Sequence, residues 1–95
     1  MGAEYFTTIS SGKTVKEAFR NAIDDARYEY GNRGYTGSIA EKDSYVVLKG
    51  PVPLNEAYDT ADRCSESSRF EDKWGPAGCI ELEDGRYLFF GWASS

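Results

Sequence analysis

The sequence predicts an α+β domain in which an antiparallel sheet of four to five strands carries two helices on one face, in the order βαββαββ. Three observations lead there: a helical stripe from Val15 to Tyr30, a second from Leu54 to Ser67, and short β-branched and aromatic runs divided by glycine and proline. The first six elements match the split βαβ pattern of ferredoxin-like folds. With 95 residues the chain builds one core, so residues 1–95 are read as a single domain.

Glu4 to Ser10 alternates Tyr5, Thr7 and Ile9 with Phe6 and Thr8 and reads as the first strand. Thr14 and Glu17 then form a TxxE capping box. Behind it Val15, Ala18, Phe19, Ala22, Ile23, Ala26 and Tyr30 fall on one stripe of a helix, which Gly31 stops. Three glycines between Gly31 and Gly37 make that segment a loop. Strands at Ser38 to Glu41 and Tyr45 to Lys49 flank Lys42, Asp43 and Ser44 as a hairpin, which Gly50, Pro51 and Pro53 end. Leu54, Ala57, Tyr58, Ala61 and Cys64 form the apolar stripe of the second helix. Arg69 to Gly78 reads as a loop anchored by Phe70 and Trp74. Cys79 to Glu83 and Arg86 to Trp92 flank Asp84-Gly85, a strong hairpin signal.

Composition narrows the function. Sixteen acidic and eleven basic residues give a net charge of -5, which repels nucleic acid and membrane surfaces and suits a basic partner, although the same charge also serves plain solubility. Met1 to Ser11 has neither a basic region nor a long apolar run, and no stretch approaches a membrane span, so a cytoplasmic location is expected. The chain has no histidine, the commonest general acid and base. Cys64 and Cys79 lack zinc-site spacing and an evident activating base, so both are expected to be reduced core residues. Carboxylate clusters such as Glu41 with Asp43 and Glu81 with Glu83 lack the spacing of a calcium loop. A protein that binds, with no catalytic residues, metal or cofactor, is therefore the expectation.

Candidate binding residues lie in three places. Glu56, Asp59, Asp62 and Glu66 recur every three or four residues and form an acidic stripe beside the apolar one, a pattern that an ordinary solvated helix face shares. The loop from Gly31 to Gly37 carries Arg33 and Tyr35, although a plain helix-to-strand connection has the same composition, and neither the P-loop nor the GxGxxG pattern is present. Trp74 is the aromatic anchor of the third. The alternative is a small-molecule or nucleotide binder that uses Arg33, Tyr35 and Trp74 around a pocket at the loop ends. In the last strand Leu88, Phe90 and Trp92 share one face and Tyr87 and Phe89 the other, so the strand is either covered on both sides or offers a face to a partner, such as a second copy in a homodimer.

The segments YEYGNRGYTGSIAEK (Tyr28 to Lys42), KWGPAGCIEL (Lys73 to Leu82) and FFGWASS (Phe89 to Ser95), about a third of the chain, resemble small phage and prophage proteins of unassigned activity. Some proteins of that kind inhibit host defences such as CRISPR effectors. The resemblance implies a host cytoplasmic setting and a host protein partner with a basic surface, and it brings no catalytic residue with it.

Overall fold

The computed structural model describes residues 2–31, 36–67 and 73–94. They form β1 (Ala3–Ser11), α1 (Val15–Tyr30), a 3₁₀ turn (Ile39–Glu41), β2 (Tyr45–Val52), α2 (Leu54–Cys64), β3 (Ala77–Leu82) and β4 (Arg86–Ser94). The α+β class and the two helices stand as expected. The four strands lie in the order β1-β4-β3-β2. β4 pairs antiparallel with β1 and β3, and β2 pairs parallel with β3, so the sheet is mixed rather than antiparallel.

Ser38 to Glu41 is not a strand. The Ser38 side chain accepts a hydrogen bond from Ala40 N at 3.2 Å, and such a local bond offers the backbone an alternative to a ladder. The result is the 3₁₀ turn, which buries Ile39 completely. The expected hairpin therefore does not form, and the order is βαβαββ instead of βαββαββ. This differs from the split βαβ order. β2 in turn runs past Gly50 and Pro51 to Val52, which an edge strand tolerates because the missing N–H of proline can face away from the ladder.

The helices lie on opposite faces of the sheet, not on one. α1 packs Ala18, Phe19, Ala22 and Ala26 against Phe6, Cys79, Phe89 and Ala93, whereas α2 packs Ala57 and Ala61 against Ile80, Leu82, Leu88 and Phe90. Alternation along β4 sends Phe89 to one layer and Phe90 to the other. Handedness accounts for the arrangement. β1, β2 and β3 all run in the same direction, and the path from β1 to β2 crosses the whole sheet while the path from β2 to β3 steps back by one strand. Right-handed crossovers that travel in opposite directions must use opposite faces. β4 thus sits in the middle, covered on both sides, and the last strand has no free edge for a second copy.

The start of α1 follows the sequence closely. Thr14 Oγ1 accepts from Glu17 N at 3.1 Å, Glu17 Oε1 accepts from Lys13 N at 3.4 Å, and Gly31 closes the helix at φ 70°. α2 opens behind Pro53 with no side-chain cap and ends at Cys64, short of Ser67, where Ser65 to Ser67 turn out of the helix.

Candidate protein-binding surface

A helix advances about 100° per residue, so the side chains of α2 divide into sectors. Ala57, Thr60, Ala61 and Cys64 point to the sheet, and Glu56, Asp59 and Asp62 centre on the opposite side. Leu54 and Tyr58 fall between the two sectors and are 39% and 37% exposed, so they belong to the outer surface rather than to the buried stripe. α2 buries only the small side chains of Ala57, Thr60 and Ala61, a narrow contact that leaves Leu54 and Tyr58 at its flank partly exposed.

Glu56, Asp59 and Asp62, together with Arg63, line one shallow depression of about 480 Å³. Its two ends are tied to different strands. Lys49 of β2 stands 3.9 Å from Glu56 Oε1, and the Tyr5 hydroxyl of β1 donates to Asp62 Oδ1 at 3.3 Å. Burial, and then the neighbouring Asp62 carboxylate, push the Tyr5 phenol up to about 12, because both disfavour the phenolate. Beyond the depression, Ser65 Oγ donates to Asp62 O at 2.8 Å, and Trp92 Nε1 donates to Ser65 O at 3.2 Å. The Trp92 ring stacks at a tilt on Tyr5, 5.5 Å between centroids. Tyr5 and Trp92 therefore hold the end of α2 that carries Asp62. Neither stood out as a site residue, because each is joined to α2 across long stretches of chain; only the shared sheet face of Tyr5 with Thr7 and Ile9 hinted at it.

The remaining candidates are dispersed. Glu66 is exposed but lies in the turn after α2, outside the depression. Trp74 is 62% exposed, with Lys73 Nζ 5.4 Å from its ring centroid. Its turn is held by the buried Lys42, whose Nζ donates to Lys73 O at 3.1 Å and to Gly75 O at 2.9 Å. The turn leads into β3, at the end of the sheet where α2 terminates, so Trp74, Asp62 and Glu66 share one end of the molecule. Arg33 and Tyr35 lie outside the described residues. The far end of their loop is fixed by Glu41 Oε2, which accepts from Thr36 Oγ1 at 2.9 Å and from Thr36 N at 3.2 Å.

A groove of about 350 Å³ does adjoin the loop ends, between β1 and the second half of α1. Glu4, Asp25 and Glu29 line it, a set of charges that attracts cations and repels phosphate. Cys79 is fully buried in the α1 layer, where burial and then Glu81 raise its thiol to about 12. A thiol so placed stays protonated near neutral pH and is a poor nucleophile. Cys64 packs half-buried against the α2 layer. Among the described residues no group of three or more metal-ligating side chains converges, and no helix is long and apolar enough to cross a membrane. No protein-family model, curated protein sequence or solved structure matches this chain.

Proposed function

We propose that this chain is an acidic protein-binding domain that sets the outer face of α2 against a basic surface of a partner protein. The observation that carries this reading is the convergence of Glu56, Asp59 and Asp62 on one depression opposite the sheet, with Leu54 and Tyr58 exposed alongside. Carboxylates give such a surface its steering and selectivity, and an exposed tyrosine gives it area with a polar tip. The resemblance to small phage proteins adds a context to the same reading: the partner would be a component of a host defence complex, such as a CRISPR effector, whose nucleic-acid-binding surface is basic. Occupying that surface would inhibit the complex without any chemistry by this chain.

The reading is tested by pull-down against basic nucleic-acid effector complexes at about 50 mM and about 300 mM salt, a range over which screening of exposed charges changes markedly. Capture should weaken with salt and should fall several-fold for Glu56→Gln combined with Asp59→Asn, which leave the Tyr5 to Asp62 bond in place. Failure to capture any such complex, or capture that ignores both salt and the substitutions, would overturn it. The nucleotide alternative gains no support from the groove beside the Gly31 to Gly37 loop, since Glu4, Asp25 and Glu29 repel phosphate there.

A further inference from the structure

The two edges of the sheet are built differently. β2 carries Lys49, is interrupted by register shifts between Val47 and Lys49 and between Lys49 and Val52, and passes through Gly50 and Pro51. Charged residues, proline and irregular register are the devices that keep an exposed strand from pairing with another chain. β1, at the other edge, has none of them in its middle. Its nine residues pair with β4 from Ala3 to Ser11 without a register shift, contain no proline, and include one charge, Glu4, near the first end. Thr7 is exposed, and Thr8 and Ile9 are half-buried. Among the described residues no strand lies beyond β1.

We infer that the β1 edge docks a second copy of this chain, β1 pairing antiparallel with β1 of the partner so that two four-stranded sheets join into one of eight. Charge complementarity selects the second copy over an unrelated strand. A twofold axis through Thr8 sets Glu4, four residues from it, opposite Gly12 of the other copy and next to Lys13, five residues from it, at about 3.4 Å per residue. Glu4 shares its groove with Asp25 and Glu29 of α1, so the exposed Lys13 of each copy arrives among three carboxylates of the other. The middle of the ladder, Tyr5 to Ser11, is uncharged and meets itself without repulsion.

Sedimentation equilibrium of the intact chain from about 5 to 200 µM tests this, because a dimer assembles by mass action. The mass should rise towards twice the 10.6 kDa of one chain. Thr7→Lys sets two like charges diagonally across the twofold centre and should hold the protein monomeric with an unchanged circular dichroism spectrum. Glu4→Lys should weaken the dimer by about tenfold, and adding Lys13→Glu should restore part of it, Asp25 and Glu29 still opposing the new carboxylate. A chain that stays monomeric over the whole range overturns the inference. So does a dimer that Thr7→Lys and Glu4→Lys leave unchanged, which would place the contact on another surface, and so does a Glu4→Lys defect that Lys13→Glu fails to rescue.

Discussion

The two layers that cover the sheet are held by different means. The α1 layer is an aromatic cluster: Phe19 lies 4.8 Å from Tyr45 and 5.4 Å from Phe89, centroid to centroid, beneath a 16-residue helix with a side-chain cap. To the α2 layer the helix itself contributes little beyond Ala57 and Ala61; it is 11 residues long, has no side-chain cap and buries a Thr60 hydroxyl without a hydrogen-bond partner among the described residues. Of the two helices, α1 adds the Phe19 ring to its alanines, whereas α2 buries only Ala57, Thr60 and Ala61, and a ring buries more apolar area, at roughly 25 cal/mol for each Å² removed from water. The layer that carries the proposed binding face is therefore the less firmly anchored one, as is common for surfaces that engage partners.

Substitutions can break or sharpen this contrast. The largest expected effect is at Phe89, where replacement by Ala empties the centre of the α1 cluster and should cost about 3–5 kcal/mol in a denaturant titration. On the other face, a Cβ at Gly78 would fall on the Phe90 ring, so Gly78→Ala should cost about 1–3 kcal/mol; a neutral result would show that the α2 layer is looser than described. Thr14→Ala removes the α1 cap and should cost about 1 kcal/mol, read as a shift in the denaturation midpoint. Thr60→Val removes the unpaired hydroxyl at nearly constant volume and should raise stability by up to about 1 kcal/mol, visible as a higher Tm.

Alkaline pH separates the layers again. Cys79 in the α1 layer is raised from 9.0 to about 12, and Tyr5 at the α2 layer from 10.0 to about 12. In both cases the unfolded chain releases its proton first, so the stabilisation is complete below pH 9 and declines between pH 9 and about 12. Denaturation midpoints followed over this range should fall from pH 9 in the wild type. Cys79→Ala should delay the onset towards pH 10, and Tyr5→Phe should leave the onset at pH 9 with a shallower decline.

Much of the fold was legible where a signal is local. α1 and its cap follow from Thr14, Glu17 and the spacing of Ala18, Phe19, Ala22 and Ala26, and the closing hairpin follows from Asp84-Gly85. Ser38 to Glu41 misled because its apolar Ile39 suits a strand, while the Ser38 hydroxyl, by capping Ala40 N, made a turn. The apolar pair Leu54 and Tyr58 misled in the opposite sense, since hydrophobic spacing cannot tell which flank of a helix a narrow contact will leave outside. In the candidate surface, Glu56, Asp59 and Asp62 were readable because helical spacing alone places them together. Tyr5 was not, because it reaches Asp62 across 57 residues of sequence.

By itself the sequence determined the helices, the closing hairpin, the acidic sector of α2 and the two apolar faces of β4, because each depends on residues a few positions apart. Only the tertiary structure decided that β4 is central, that β2 joins β3 in parallel, and that the helices take opposite faces. Those choices depend on which distant strands meet, and on the handedness of the crossovers between them, neither of which leaves a periodic mark in the chain.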